Sequence, residues 1–271
     1  MKVGFIGLGS QGAPIARRII DSGEHEVVLW ARRAESLAPF GATTARFAES
    51  PADLAAGLDA LGLCVFGAAD LEEVLFGPNG AAPALPSGAV VLCHSTVAPQ
   101  EIVELAARAR GFGVAVVDAP VSGGEPKASI GELLVMAGGD AETLARAMPV
   151  LRTYSNDVVH LGAVGTASQA KLLNNAVLAA NLAVVADAFD IGAELGVDRN
   201  ALAAVLRQGT ARSFAADLYA GFDGLAALAA TTLKPTLTKD VGLLAVLVGG
   251  DGGAALVSAA RELIDKIDLL S

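Results

Sequence analysis

The sequence predicts an α/β domain built on a mainly parallel sheet, followed by an all-α domain. Up to residue 162, short apolar runs alternate with segments of helical periodicity, which is typical of a parallel sheet covered by helices on both faces. Beyond that point no strand-like run appears, and residues 167–195 suit one long helix. At 271 residues the chain is long enough for two domains, and we place them at residues 1–162 and 163–271.

The chain begins with a strand, a glycine turn and a helix. An apolar run at residues 3–6 leads into the turn Gly7-Leu8-Gly9-Ser10-Gln11-Gly12, and amphipathic sequence separates this turn from a second apolar run at residues 27–30. In such a turn Gly7 allows the tight bend, Gly9 lets a pyrophosphate approach the backbone, and Gly12 lets the helix pack closely on the strand. Free N–H groups and the dipole at the helix start attract the phosphates. This context predicts a Rossmann-type dinucleotide-binding domain; the alternative is a glycine turn in an α/β domain without a ligand.

The end of the second predicted strand indicates which dinucleotide binds. NAD-binding folds usually place an Asp or Glu there, where it bonds the ribose 2′-hydroxyl. This chain has Arg32 and Arg33 instead, and no acidic residue until Glu35. A guanidinium offers fork-shaped donors that match a 2′-phosphate, whereas a carboxylate would repel it. We therefore predict a preference for NADP(H) over NAD(H); the alternative is that both arginines are solvated loop cations.

The remaining elements follow in order along the chain. In the first domain the candidate strands are residues 61–66, 89–93, 114–117, 133–137 and 158–161, and the candidate helices are residues 71–76, 99–110 and 141–153. In the second domain we predict helices at residues 167–195, 199–207, 236–248 and 254–267, with Asp198 capping the second of them. The long interdomain helix is apolar on nearly all sides and should be buried on nearly all sides. We therefore expect it to pack against another subunit in a homodimer or homotetramer.

Composition argues against several classes of function. The 29 acidic residues outnumber the 19 basic ones, and the net charge of −10 argues against a nucleic-acid surface. Residues 3–6 are too short for a signal peptide, and the apolar stretch at 176–186, which Asn181 interrupts, is too short for a membrane span. Cys64 and Cys93 lie in strand-like runs and are expected to be reduced core residues of a cytoplasmic protein. The three histidines are scattered, so no metal site is predicted.

A polar segment from Asp118 to Gly124 follows one of the predicted strands. The carboxyl ends of parallel strands face the ligand crevice, so residues there are candidates for substrate binding. Ser122 followed by two glycines offers a hydroxyl and exposed backbone N–H groups, which suit a carboxylate. The alternative is a plain turn in which Ser122 caps the following helix.

Two lysines of the second domain could take part in proton transfer or binding. Lys171 and Asn175 are four residues apart and share one helix face. A lysine in apolar sequence loses hydration, which favours the neutral amine and suits general acid/base catalysis; the alternative is a lysine that snorkels at a helix end. Lys239, followed by Asp240, could bring a second cation to the substrate or cofactor, or the two could form an ordinary exposed charge pair.

In this order the motifs resemble the β-hydroxyacid dehydrogenase family, which includes 3-hydroxyisobutyrate dehydrogenase and the tartronate-semialdehyde and glyoxylate/succinic-semialdehyde reductases. The resemblance implies hydride transfer between NADP(H) and a small hydroxyacid or aldehyde-acid. It covers nearly the whole chain and rests on Gly7–Gly12, Ser95-Thr96, Asp118–Gly124 with Met136-Ala137-Gly138-Gly139, Gly162–Asn175 and Lys239-Asp240.

The resemblance also implies a role for individual residues. Lys171 would be the general acid/base, and Asn175 would be its positioning partner. Thr96 would lie near the nicotinamide, and Lys239 would line the site beside substrate and cofactor. The substrate carboxylate would be bound by Ser122, Gly123 and Gly124.

Two departures from the family pattern leave the specific substrate open. Glu125-Pro126-Lys127 stands where the family more often has a small, glycine-containing stretch, and Leu233 stands where it often has Phe. Imine reductases share this architecture but typically carry Asp or Tyr in place of Lys171, and 6-phosphogluconate dehydrogenase has His where this chain has Asn174. A non-enzymatic NADP(H)-binding sensor is the alternative from another functional class.

Overall fold

The computed structural model describes residues 1–249 and 253–269. The chain divides into two compact units, Met1–Lys171 and Leu172–Ser271. The division falls inside one helix of 29 residues, Thr166–Glu194, which starts in the first unit and continues through the second. The predicted architecture, a Rossmann-type α/β domain, a long helix and an all-α region, is confirmed.

The first unit is built on a single nine-stranded sheet. Its strands are β1 Lys2–Ile6, β2 Glu26–Trp30, β3 Arg46–Phe47, β4 Ala60–Leu63, β5 Val90–Cys93, β6 Ala115–Asp118, β7 Val121–Ser122, β8 Leu134–Gly138 and β9 Asp157–Gly162. They lie in the order β3-β2-β1-β4-β5-β6-β8-β7, and β9 pairs with β8. The six strands β1 to β6 are mutually parallel, whereas β8 is antiparallel to both β6 and β7. The carboxyl ends of the parallel strands therefore meet at one edge of the sheet.

The helices include several short ones that periodicity did not predict. They are α1 Gly12–Asp21, α2 Pro51–Ala55, α3 Ala68–Phe76, α4 Pro99–Arg110, α5 Gly124–Ile130, α6 Ala141–Leu151, α7 Thr166–Glu194, α8 Arg199–Gln208, α9 Phe214–Ala220, α10 Gly224–Ala229, α11 Leu233–Val248 and α12 Ala254–Asp268. Asp198 caps α8 as predicted, since its carboxylate accepts a hydrogen bond from the Ala201 amide. The helices α2, α5, α9 and α10 were not predicted, because each has at most seven residues and too few turns to show a period.

Apolar side chains cover both faces of the sheet, as expected for a parallel sheet between two helical layers. Along β1, Val3 and Phe5 belong to one buried cluster and Ile6 to the other. A Cβ added at Gly4 would collide with the side chains of Leu54 and Leu58, so the absence of a side chain there brings this layer close to the strand. Burial on both faces explains why the strand sequences are continuous apolar runs.

The second unit packs around one face of α7. The buried residues of this face join those of α9, α11 and α12 in a single cluster. The opposite face is exposed: Val177 is 46% and Val184 is 64% accessible. The single chain therefore buries one face of α7, and the expected burial on nearly all sides stays a prediction that requires a second subunit. Among the described helices α7 is long and apolar enough to cross a membrane, but its buried face forms the centre of this unit's core.

In the first unit, a buried hydrogen bond connects the residue that follows β5 to the segment that follows α6. His94, which follows β5, is 4% exposed and lies between the rings of Phe5 and Tyr154. Its Nδ1 donates to the Ala119 carbonyl at 2.7 Å, and its Nε2 accepts from the Tyr154 hydroxyl at 3.1 Å. This arrangement needs the neutral ring, and burial lowers the pKa of His94 to about 4.

We expect this histidine to make the first unit sensitive to acid. A folded pKa below the ordinary histidine value of 6.5 contributes stability that is present above pH 6.5 and is lost as the pH falls toward 4. The free energy of unfolding, measured by urea titration, should therefore fall by about 3 kcal/mol over that range. In His94→Gln the slope should decrease by about one proton. Equal slopes in the parent protein and the variant would refute this assignment.

Candidate active site

The glycine turn between β1 and α1 contains two glycines that the fold requires and one that it does not. Gly7 has φ of +98°, and a Cβ there would collide with the Cys64 carbonyl. A Cβ at Gly12 would collide with the carbonyl oxygen of Gly7, where α1 crosses the turn. A Cβ at Gly9 would have no atom within 4 Å. The fold therefore does not explain the glycine at position 9, whereas a ligand close to the backbone would.

The start of α1 offers hydrogen-bond donors to such a ligand. The helix has no side-chain cap at Gln11 and no acidic residue in its first turn. The side-chain amide nitrogen of Gln11 is buried and has no hydrogen-bond partner in the described part of the chain. The first N–H groups of a helix lack intrahelical acceptors, and phosphate oxygens commonly supply them. The open turn and these donors fit the pyrophosphate of a dinucleotide.

The two arginines after β2 differ in their surroundings. Arg32 donates from Nη2 to Asp70 Oδ1 at 2.7 Å and to Glu73 Oε2 at 2.9 Å, and both acids lie on α3. The side chain of Arg33 is 75% exposed, and its Nε lies 3.8 Å from Glu35 Oε1. Arg32 is therefore held by two carboxylates, and Arg33 is the more accessible cation.

The segment predicted to bind a carboxylate turns sharply after β7. Gly123 and Gly124 have φ of +131° and +67°, a region that favours glycine. Gly123 occupies the N-cap position of α5, and no side chain caps this helix. The alternative role of Ser122 as a helix cap is therefore wrong. Ser122, the last residue of β7, is half-buried, as is Gly123, whereas Gly124 is exposed.

Lys171 is half-buried on α7, in the part of the helix that is anchored to the sheet. Asp118, the last residue of β6, is fully buried and accepts hydrogen bonds from three groups at the start of α7. Its Oδ2 accepts from the amides of Gly165 and Ser168 at 3.1 and 2.8 Å, and its Oδ1 accepts from Ser168 Oγ at 2.9 Å. Burial raises the pKa of Asp118 above the usual aspartate value, while these hydrogen bonds act in the opposite direction. The carboxylate thus fixes the helix turn that precedes Lys171.

Gly138, the cross-strand partner of Asp118, allows the start of α7 to approach the sheet closely. Gly138 on β8 pairs with Asp118 in the antiparallel ladder. A Cβ at Gly138 would lie 2.8 Å from the Ala163 carbonyl oxygen and 3.4 Å from the Ala167 amide nitrogen. A side chain at this position would therefore push the start of α7 away from the strand.

In the second unit, Asp240 connects two of the predicted site residues. It is fully buried on α11, and its Oδ2 accepts a 2.5 Å hydrogen bond from Asn175 Nδ2. Its Oδ1 lies 2.8 Å from Lys239 Nζ. The alternative interpretation of Lys239 and Asp240 as an exposed pair is therefore wrong. The carboxylate orients the Asn175 amide and balances the charge of Lys239.

The structure brings the predicted residues together in groups. Within the first unit, the glycine turn, Arg32 and Thr96 follow the parallel strands β1, β2 and β5, whose carboxyl ends share one edge of the sheet. In the second unit, Asn175 and Lys239 meet through Asp240. Sequence reasoning placed Asp118 and Asp240 within its motifs but did not identify their carboxylates as anchors. An acid that ends an apolar strand, or that lies in an apolar helix, is the signal that could have found them.

We expect alanine at position 9 to affect dinucleotide binding and alanine at position 12 to affect the stability of the fold. Gly9→Ala should leave the free energy of unfolding within about 0.5 kcal/mol of the parent, because its Cβ has open space. It should weaken dinucleotide binding by at least about tenfold, because the methyl group occupies the place of a phosphate oxygen. Gly12→Ala should destabilise the fold through its clash with the backbone. Fluorescence titration with NADPH and urea unfolding test both variants; unchanged binding by Gly9→Ala would contradict this account of the turn.

Comparisons with known proteins match both units. The model for the NAD-binding domain of 6-phosphogluconate dehydrogenase matches residues 2–162, and the model for the NAD-binding domain of NADP-dependent 3-hydroxyisobutyrate dehydrogenase matches residues 165–265. An uncharacterized oxidoreductase of Mycobacterium tuberculosis is 32% identical over 276 residues, which cover 99% of this chain and 88% of that protein. The mitochondrial 3-hydroxyisobutyrate dehydrogenase of Homo sapiens is 33% identical over 217 residues, which cover 80% of this chain and 64% of that enzyme.

Comparison with solved structures also finds proteins similar to this chain over nearly its whole length. Psf3, solved in complex with NADP+ and 2-OPP, has a TM-score of 0.88 and 26% identity over 98% of this chain and 93% of that chain. The 3-hydroxyisobutyrate dehydrogenase of Salmonella typhimurium has a TM-score of 0.85 and 26% identity over 99% of this chain and 93% of that chain. Together with the two matched family models, these relatives confirm the family that the motifs indicated. The chain belongs to the β-hydroxyacid dehydrogenase family, of the 3-hydroxyisobutyrate dehydrogenase type, whose members are NAD(P)-dependent oxidoreductases acting on CH–OH groups.

Proposed function

We propose that the chain transfers a hydride between NADP(H) and a small hydroxyacid or its aldehyde-acid partner, with Lys171 as the general acid/base. The observation that carries this proposal is the anchored start of α7. Asp118 holds Ser168, one helical turn before Lys171, so the lysine projects from a backbone that is fixed to the end of β6. General acid/base catalysis needs such positioning, because proton transfer requires hydrogen-bond distance to the reacting oxygen.

Each of the proposed site residues has a separate role in this mechanism. A bound nicotinamide supplies or accepts the hydride. During reduction, the ammonium of Lys171 donates a proton to the carbonyl oxygen as negative charge develops there; during oxidation, the neutral amine takes the proton from the hydroxyl. The Ser122 hydroxyl and the backbone amides of Gly123 and Gly124 hold the substrate carboxylate. Asn175, oriented by Asp240, positions the lysine or the substrate.

The preference for NADP(H) rests on the residues after β2. No acid stands directly after the strand to repel a 2′-phosphate, and the exposed guanidinium of Arg33 can form charge-assisted hydrogen bonds with one. The similarity to Psf3, which was solved with NADP+, and the match to the NADP-dependent 3-hydroxyisobutyrate dehydrogenase model support the same cofactor.

The proposed reaction is tested by the oxidation of NADPH, with NADH in parallel, over a panel of small aldehydes. The panel contains succinic semialdehyde, glyoxylate, tartronate semialdehyde, methylmalonate semialdehyde and a cyclic imine. We expect turnover of at least one aldehyde-acid, with NADPH preferred. Turnover of the imine alone would assign a different reaction, and binding of NADPH without any turnover would favour a sensor.

Replacement of Lys171 separates proton transfer from binding. Lys171→Ala should lower kcat by about 10²- to 10⁴-fold. Lys171→Arg keeps the positive charge but cannot release a proton near neutral pH, so it should lose a similar factor in kcat while the affinity for NADPH is unchanged. Steady-state kinetics and circular dichroism of each variant measure both effects. Full turnover by either variant would refute the assignment of the general acid/base.

We also propose that a second copy of the chain covers the exposed face of α7. Leu173, Val177, Val184 and Ile191 are spaced by four or seven residues, which places them on one helix face, and each is at least 46% exposed. The neighbouring helix α8 has no fully buried residue. Contiguous apolar surface of this kind is typical of a subunit interface. A homodimer or homotetramer formed through the helical region would bury it.

Sedimentation equilibrium tests this interface. The parent protein should sediment as a dimer or larger, and Val184→Asp should dissociate it, because an unpaired carboxylate would be buried at the contact. Val103→Asp, on the exposed side of α4 and 41% accessible in the parent, is the matched control and should not change the mass. A monomeric parent protein would overturn the proposal.

A further inference from the structure

An ion-pair cluster lies beside the proposed position of the cofactor's ribose. Arg32 follows β2, and its partners Asp70 and Glu73 lie on α3, which follows β4. In the sheet, β1 lies between β2 and β4. The ion pairs therefore connect segments that follow the two strands flanking β1, the strand that leads into the glycine turn. The hydrogen bond that Arg32 donates to Asp70 is the main cause of the raised pKa of Arg32.

The charges around this position do not favour an anion. Arg32 and Arg33 contribute two positive charges, and Asp70, Glu73 and Glu35 contribute three negative ones within 4 Å of these guanidiniums. A site that selects a 2′-phosphate by charge alone would have an excess of positive groups. Here each arginine already has at least one carboxylate as a partner.

We propose that Asp70 and Glu73 are specificity-determining residues of the cofactor site: they compete with the 2′-phosphate of NADP(H) for the guanidinium of Arg32 and so limit the preference for NADP(H). This inference rests on the proposed function, in which NADP(H) is preferred, and it adds Arg32 to Arg33 as a cation that recognises the 2′-phosphate. It extends that function by assigning the degree of preference to two residues on a different element.

The geometry supports competition rather than assistance. Both carboxylates bond the same nitrogen, Nη2, and the side chains of Arg32 and Glu73 are 57% and 65% exposed. Exposed ion pairs of this kind are weak, so a dianionic phosphate can displace the carboxylates, but the loss of these ion pairs reduces the net affinity for the phosphate. The carboxylates also repel the phosphate through space. Removing both negative charges should therefore strengthen binding of a 2′-phosphate by about three- to tenfold.

The test is the double variant Asp70→Asn with Glu73→Gln, which removes both charges and keeps the side-chain shapes. Adenosine 2′,5′-bisphosphate and adenosine 5′-monophosphate are titrated by calorimetry, and NADPH and NADH are titrated by fluorescence. We expect affinity for the two 2′-phosphorylated ligands to rise by about three- to tenfold, whereas affinity for the other two should change by less than about twofold. Glu72→Gln is the matched control, because Glu72 lies on the same helix but pairs with Arg108.

A third variant shows whether the effect acts through Arg32. In the background of Arg32→Ala, the two carboxylate substitutions should lose most of their effect on the 2′-phosphorylated ligands. An unchanged or smaller ratio of NADPH to NADH affinity in the double variant would overturn the inference and would show that the carboxylates assist Arg32. The proposed cofactor preference is judged separately, by the ratio in the parent protein: tighter binding of NADH there would refute it, whatever the double variant does.

Discussion

The arrangement of the candidate site depends on one buried carboxylate, that of Asp118. It ends strand β6 and accepts three hydrogen bonds, at 2.8 to 3.1 Å, from Gly165, which precedes α7, and from Ser168 in the first turn of α7. Burial alone would favour the protonated acid, as the raised pKa of Asp118 shows, but the donors and the positive end of the helix dipole stabilise the negative charge. Without this acceptor, two backbone amides would be buried unpaired, at a cost of about 1–3 kcal/mol each. The carboxylate thus links the position of Lys171 to the stability of the sheet.

The second unit uses a carboxylate in the same way, although the groups it holds are different. Asp240 is fully buried and has Asn175 on one oxygen and Lys239 on the other. A buried charge of this kind is tolerated only with close partners, and removing one partner leaves the other uncompensated. For this reason Asn175, Lys239 and Asp240 act as one unit, and the effect of replacing any of them will not be additive with the others.

The sequence predicts the fold well where local pattern and tertiary structure agree. Most of the longer strands and helices follow from apolar runs and periodicity, and the glycine turn is recognised because Gly7 and Gly12 meet steric demands that the adjoining strand and helix impose. The short helices α9 and α10 are not predictable in this way, because their stability comes from packing rather than from their own period: α9 packs against α7 and α8, and α10 packs against α11 and α12. Uniform apolar composition likewise identifies α7 as a helix but not which of its faces this chain buries.

Prediction of the site from the sequence is limited in a different way, because the chemistry of a residue depends on partners that the sequence does not reveal. Arg32 and Arg33 are adjacent and identical in type, yet one is shared between two carboxylates on α3 and the other is largely exposed. Their partners lie 38 and 41 residues away for Arg32 and two residues away for Arg33, so the sequence gives no reason to treat the two differently. Recognition of a 2′-phosphate is a difference between the affinities of the guanidinium for phosphate and for the carboxylates it already contacts. In the proposed cofactor site, the strength of the preference for NADP(H) depends on the sheet order, which brings α3 next to the end of β2, as much as on the arginines themselves.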